Sequence, residues 1–355
     1  MRYRITHKTE YRYATPVAQS NHLVHLTPCA VDGQIVEQHA IAITPAPAHR
    51  RDFTDYFGNS TIHLTMEEDH SVLTMNAQTT VTVTRDHSPL LAKSVASWEM
   101  VRDLMTDAAH IDEAEFACYS TFTNPTPEIA AYGALSFPPG RPLMEAVMDL
   151  TRRIFTDFEY NPTVTDIFTP ISQVFEMKSG VCQDFAHFQL ACLRTLGIPA
   201  RYVSGYLRTY PPKGKPRLIG ADASHAWISV WCPEAGWIDF DPTNNKTIAD
   251  EHVTLTVGRD FGDVSPISGV ILGGGSHFVH VSVDVMPIDD QGQEIGQSIS
   301  PEQQAEETAA EGATQPELSQ APTLASAQEQ SQEQSQIQTQ EKVQPADPLP
   351  ADRTY

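Results

Sequence analysis

The chain has 355 residues, 23 Lys+Arg against 45 Asp+Glu and a formal net charge of −22, which is length enough for two ordinary domains and their cores. From Pro287 onward there are 13 acidic and 2 basic residues, so half of the net charge lies in the last 69 positions. An acidic chain without a basic stripe repels phosphate backbones, which argues against nucleic acid as a partner. No apolar run approaches a membrane span or follows the charged start as a secretory signal would, so no membrane association is expected. The five cysteines (Cys29, Cys118, Cys182, Cys192 and Cys232) are odd in number and lack CxxC spacing. That usage argues against a disulfide framework or a zinc site and suits a reducing cytoplasm.

Residues 2–13, 36–44, 62–66 and 72–84 alternate apolar and polar residues. Turn signals at Pro28, Asp32-Gly33, Pro45, Pro47 and Gly58-Asn59 punctuate them. This pattern predicts an N-terminal antiparallel β-sandwich domain over 1–85. The histidines there (His22, His25, His63 and His70) are read as surface or packing residues. A metal-dependent hydrolase built on them is a weaker alternative.

Helical spacing follows over 92–117 (Val95, Trp98, Val101, Leu104, Met105) and 126–157 (Leu143, Val147, Leu150, Ile154), predicting a helical connection over 86–157. Residues 158–286 mix helix and strand signals and form the expected catalytic core. Residues 287–355 are rich in Gln and acids and poor in apolar side chains. They cannot offset their own ordering entropy, and a disordered tail is expected.

Within the core, Ser179-Gly180-Val-Cys182 opens a helix that Gly197 and Pro199 close. Phe185, Phe188, Leu190, Ala191, Leu193 and Leu196 point in most directions around its axis, so the helix should be buried. Cys182 falls in the first turn. There the positive end of the dipole favours a thiolate, and free N–H groups can bind an oxyanion. His187, five residues along, points away from the thiol and is assigned to packing.

The partner of the thiol is sought downstream. Ala223-Ser-His225-Ala-Trp-Ile-Ser-Val-Trp231 alternates like a strand, and Gly236-Trp-Ile-Asp-Phe-Asp241 returns after Cys232-Pro-Glu-Ala. This hairpin sets residue 225 opposite 241 or 243, with His225 and Asp241 on one face. Asp241 would hold Nδ1–H of His225 and leave Nε2 for the thiol. Asp239, on the same face, is the second choice. Trp227, Trp231 and Trp237 could wall a site but are read as core.

The order Cys, His, Asp resembles the bacterial transglutaminase-like superfamily. So do the motifs Gly180-Val-Cys182-Gln-Asp-Phe-Ala-His, Gly197-Ile-Pro-Ala-Arg-Tyr-Val-Ser-Gly-Tyr206, Ser224-His225-Ala-Trp227 and Gly236-Trp-Ile-Asp-Phe-Asp241-Pro-Thr-Asn244. Tyr11-Arg-Tyr-Ala-Thr-Pro-Val17, Asp55-Tyr-Phe-Gly-Asn59 and Gly258-Arg-Asp-Phe-Gly-Asp-Val264 extend the likeness over roughly 1–285. The resemblance implies an α+β protein with a papain-like core and Cys182, His225 and Asp241 as catalytic residues. It implies acyl transfer on protein or peptide amides through a thioester, by hydrolysis or transamidation, with no cofactor and no metal. The alternative is a non-catalytic peptide- or protein-binding module that keeps the cleft.

Overall fold

The opening alternation becomes a single long strand, β1 (Arg2–Val24), whose inward residues Tyr3, Ile5, Tyr11 and Val17 are buried. In the computed structural model, which describes residues 1–210 and 222–295 together with the backbone of 217–218 and 298–299, this strand organises the N-terminal sheet. It is joined by β2 (Gln34–Thr44), β3 (His49–Thr54), β4 (Ser60–Met66) and β5 (His70–Val83) in the order β2-β5-β1-β4-β3. The register of β1 shifts between Arg12 and Val17. Its first half pairs with β5, and its second half with β4.

Two strands from the far end of the chain, β14 (Ile267–Gly273) and β15 (His277–Ile288), also pair antiparallel with β1. The expected sandwich over 1–85 is built on one seven-stranded antiparallel sheet whose pairing changes at the shift in β1, and this sheet draws residues 267–288 out of the span assigned to the core. The sequence shows why this is easy to miss. The alternation in Val279, Val281, Val283 and Val285 marks a strand but not its partner, which is more than 250 residues away in the chain.

Helices follow the sheet. The periodic span 92–117 is broken into α2 (Trp98–Leu104), a 3₁₀ turn (Ala108–His110), α3 (Ile111–Ala114) and a second 3₁₀ turn (Glu115–Ala117), preceded by the one-turn α1 (Ser88–Leu91). Asp107 accepts the N–H of Ala109 and starts a new turn, a side-chain bond that competes with continued helix. The span 126–157 divides into α4 (Pro127–Ala134) and α5 (Leu143–Asp157), because Pro138-Pro-Gly140 cannot continue a helix. A parallel pair, β6 (Glu159–Tyr160) and β7 (Ser179–Gly180), flanks α6 (Ile171–Met177).

The central helix α7 (Cys182–Thr195) is buried at every position from Asp184 to Arg194. Gly197, with φ of +71°, ends it in the left-handed region that glycine adopts without strain. The helix packs on an antiparallel sheet built from β8 (Ala200–Leu207), β10 (Ala223–Cys232), β11 (Gly236–Asp241), β12 (Lys246–Thr247) and β13 (His252–Gly258). Its order is β12-β11-β10-β8-β13. The one-turn α8 (Phe261–Val264) leads into β14. A short parallel pair joins β9 (Arg217–Leu218) to β16 (Ser298–Ile299).

The two sheets are not separately buried. Tyr206, Val253 and Leu255 of the core sheet share an apolar cluster with β1, β4, β5 and β15. Residues 287–295, expected in the tail, instead finish β15 and make a turn in which Asp289 accepts from Gln291 and Gln293. The rest of the expected tail, 296–355 apart from the backbone of 298–299, lies outside the described residues. Among the described residues no helix is long and apolar enough to cross a membrane.

Candidate active site

The position of Cys182 is set by the residues just before it. Val181 is extended, and its N–H donates to Asp184 Oδ2 at 2.8 Å across the first turn of α7. The hydroxyl of Thr165 donates to the same oxygen at 2.7 Å. Burial pushes the Asp184 carboxyl up to about 6, although both hydrogen bonds oppose the shift. The chain approaches this cap so closely that a Cβ on Gly180 would lie 2.6 Å from Asp184 Oδ2. Glycine is thus favoured two residues before Cys182 by lack of space. Cys182 itself is half-buried as the first residue of α7.

His225 and Asp241 come from adjacent strands. The β10–β11 register pairs Ile228 with Phe240 and Ser229 with Asp239, which sets residue 225 level with 243 and makes Asp241 its diagonal neighbour. His225 Nε2 donates to Asp241 Oδ2 at 2.8 Å, with both side chains essentially inaccessible to solvent. The bond is to the opposite ring nitrogen from the one expected. A diagonal neighbour lies further away than a directly opposed one, so the distal nitrogen makes the reach. Nδ1, near the backbone, is left without a hydrogen-bond partner among the described residues, and the Cys182 thiol lies close enough to interact with the ring. The structure thus brings Cys182, His225 and Asp241 together.

Asp239 does not join them. Its Oδ2 accepts from Trp227 Nε1 at 3.1 Å and lies 4.0 Å from the Arg85 guanidinium. His187 is also placed elsewhere: it accepts the Phe261 N–H at 3.1 Å and stacks on Phe122. Trp231 and Trp237 face each other at the turn end of the hairpin, away from His225. Of the three tryptophans only Trp227 is near His225, with its ring centroid 6.0 Å away. The N-terminal histidines are tied into their own surroundings, His22 to Ser20, His25 to the Ser265 carbonyl and His70 to the Glu68 carbonyl.

Two contributors to the site were not singled out in the sequence. Asn244 donates its backbone N–H to Asp241 Oδ1 and its side-chain amide to Oδ2 at 2.6 Å. His252, the first residue of β13, donates from Nε2 to the same Oδ2 at 3.1 Å. A pattern search finds His252 only if β13 is known to lie beside β8, because nothing local marks it. The facing atoms of His225, Asp241 and His252 lie within 4.8 Å of one another, a spacing that a metal could use. These atoms are already satisfied by one another and by the Asn244 amide, so the donor set fits a hydrogen-bonded carboxylate better than an open metal site.

Charge follows this geometry. Burial alone would lower the pKa of His225. The Asp241 charge and hydrogen bond, with the nearby thiol, outweigh it and raise the value to about 10. Burial would raise the Asp241 carboxyl, yet the charge of His225 and the bonds from His225 and His252 hold it far below the usual carboxylate range. At neutral pH the pair is imidazolium and carboxylate, and the imidazolium lies next to a thiol at a helix N-terminus.

Comparison with known proteins agrees with this fold. Residues 3–82 match the bacterial transglutaminase-like N-terminal region, and residues 137–242 match the transglutaminase-like superfamily. The second span contains Cys182, His225 and Asp241. An uncharacterized Mycobacterium tuberculosis protein is 40% identical over 298 residues, covering 81% of this chain and 93% of the relative. The chain belongs to the transglutaminase-like superfamily. A protein of Pseudomonas aeruginosa named protein-glutamine gamma-glutamyltransferase is 41% identical over 71 residues, which is 20% of this chain and 11% of that one. The crystal structure of a Cytophaga hutchinsonii protein named "Putative Cysteine Protease" superposes with a TM-score of 0.64 at 21% identity, covering 81% of this chain and 92% of that one. That likeness establishes the shared fold.

Proposed function

We propose that this member of the superfamily catalyses cysteine-dependent acyl transfer on peptide or protein amides. The observation that carries the proposal is the orientation of His225: its Nε2 is held by Asp241 at 2.8 Å, its other nitrogen has no hydrogen-bond partner among the described residues, and the Cys182 thiol lies near enough to interact with the ring. The Cys182 thiolate adds to the amide carbon, a C–S bond forms, and the carbonyl oxygen becomes an oxyanion. The N–H groups of the first turn of α7, which have no helical acceptor, are the natural donors to it. His225 gives its proton to the departing nitrogen as the C–N bond breaks, leaving a thioester on Cys182 and neutral imidazole.

In the second half, His225 takes a proton from the acceptor, which attacks the thioester carbon and releases the thiolate. With water as acceptor the product is a carboxylic acid; with a primary amine it is a new amide. The short match to a gamma-glutamyltransferase supports a glutamine carboxamide as acyl donor. The test is incubation with a glutamine-rich protein and a labelled primary amine, read by mass spectrometry. Peptide cleavage, deamidation or amine incorporation each supports acyl transfer and identifies the acceptor. No change in any donor, with Cys182 reduced and free, rejects it.

A further inference from the structure

The mechanism above leaves one buried imidazole of the site without a role. His252 is fully buried, its ring lies edge-on to Trp227 at 5.2 Å, and its centroid is 6.0 Å from that of His225. Its Nε2 reaches Asp241 Oδ2 at 3.1 Å, the oxygen that already accepts from His225 at 2.8 Å and from Asn244 Nδ2 at 2.6 Å. The other carboxylate oxygen accepts the backbone N–H groups of Thr243 and Asn244. Every donor in this set comes from β10, from the loop after β11 or from β13.

Only one of the two imidazoles can carry the positive charge that matches Asp241. Burial lowers the pKa of His252, and the charges of His225 and Lys246 lower it further, against the opposing pull of Asp241. His225 is raised instead. His252 is therefore a neutral ring with a single N–H. Because Asp241 is ionised and can only accept, that proton is on Nε2. Its Nδ1 has no hydrogen-bond partner among the described residues. A buried acceptor left unpaired costs stability, so the placement of His252 favours the carboxylate at the expense of its own ring.

We propose that His252 is a positioning residue for the acyl transfer, acting through Asp241. By donating Nε2–H to Oδ2 it fixes the carboxylate plane and takes up part of its charge, so that His225 gives its proton to the leaving amine rather than holding it. This rests on the acyl-transfer reading of the site. Without His252 the carboxylate turns more of its charge on His225. The imidazolium then becomes a weaker acid in the first half-reaction. Substrate binding is untouched, because His252 is buried behind Asp241.

The test compares His252→Phe, which keeps a flat ring against Trp227 but has no donor, with His252→Gln, whose side-chain amide can reach the Nε2 position. Steady-state rates are measured with whichever amide donor the mass-spectrometric assay identifies. In parallel, alkylation of Cys182 by iodoacetamide is followed against pH by peptide mass spectrometry. Loss of the donor should lower kcat about tenfold, a part of the general acid–base contribution, with KM nearly unchanged. The alkaline limb of the alkylation profile should move to higher pH. His252→Gln should recover most of both changes.

A His252→Phe protein that matches the wild type in rate and in alkylation profile overturns the proposal. So does a folded His252→Gln protein as impaired as His252→Phe. Should the Phe variant fail to fold, His252→Asn replaces it, since its shorter amide falls short of Oδ2. Equal rates for Asn and Gln variants would be contrary to the assignment. Alkylation needs no acyl donor, so a wild type that transfers no acyl group would reject the functional reading while this comparison still decides the role of His252.

Discussion

His225 turns its distal nitrogen to Asp241 at 2.8 Å and leaves its proximal nitrogen without a hydrogen-bond partner among the described residues, with the Cys182 thiol near enough to interact with the ring. The ring cannot reverse without giving up a buried, charge-assisted hydrogen bond, which is among the stronger kinds. Asp241→Asn keeps the shape but offers an amide in place of the carboxylate. It should lower kcat by about 10²–10⁴, as orienting residues do in serine triads, with little change in KM. Asp239→Asn should cost less than about tenfold in kcat. Its damage should appear as stability, roughly 1–3 kcal/mol, because Asp239 is buried against Trp227 and Arg85. Kinetics and thermal melts of the two variants check both halves. A slow but stable Asp239→Asn protein would contradict the assignment.

The ion pair also sets a pH signature. The folded His225 pKa of about 10 lies above its unfolded value of about 6.5, so its contribution to stability is full below 6.5 and fades as pH rises towards 10. Asp241 is depressed, so its contribution is full above its unfolded value near 3.9 and is lost as pH falls below that. The difference in melting temperature between wild type and Asp241→Asn should therefore be largest from about pH 4 to 6.5 and shrink through pH 9–10. A difference that grows with alkaline pH would show that His225 is neutral in the folded state.

Gly180 and Asp184 support Cys182 without taking part in the chemistry. A Cβ on Gly180 would meet Asp184 Oδ2 at 2.6 Å, displacing the cap that fixes the start of α7. Gly180→Ala and Asp184→Ala should each cost about 1–2 kcal/mol, the scale of a lost N-cap, and lower kcat by about tenfold or more through movement of the thiol. Full activity in either variant would mean that the first turn of α7 tolerates displacement.

Much of the site could be read from the chain because its signals are local. The glycine-flanked start and apolar circumference of α7 lie within one window of roughly twenty residues, and the alternation of β10 and β11 within another. The hairpin sequence allows residue 225 to face either 241 or 243, and Ile228 opposite Phe240 selects 243. What stayed hidden depends on distant pairing. The ring nitrogen of His225 follows from the diagonal reach to Asp241, and His252 enters only because β13 lies against β8. Residues 267–288 join β1 for the same reason, and their alternation carries no address.

The boundary of the tail gives a further expectation. Arg2 donates to the carbonyls of Asp289 and Asp290, and Arg4 to that of Gly292, so the turn after β15, up to about residue 295, is tied to β1. Truncation after Ser300 should leave the melting temperature and the activity on small substrates nearly unchanged, because residues 301–355 hold too few apolar side chains to form a packed face. Truncation after Met286 should destabilise, since it removes the end of β15 and these contacts. Equal melting temperatures for the two truncations would contradict this division.

The central claim is that Cys182 forms an acyl-enzyme. The most direct measurement is a rapid acid quench of the protein with an amide donor it turns over, followed by peptide mass spectrometry of all five cysteines. The account predicts an acyl mass on the Cys182 peptide alone, removed by hydroxylamine as a thioester is, and absent from Cys182→Ala. Cys192, buried in the core with its thiol pushed up to about 12, should stay unmodified, and Cys192→Ala should still turn over. Turnover by Cys182→Ala, or an acyl group on any other cysteine, would contradict the account.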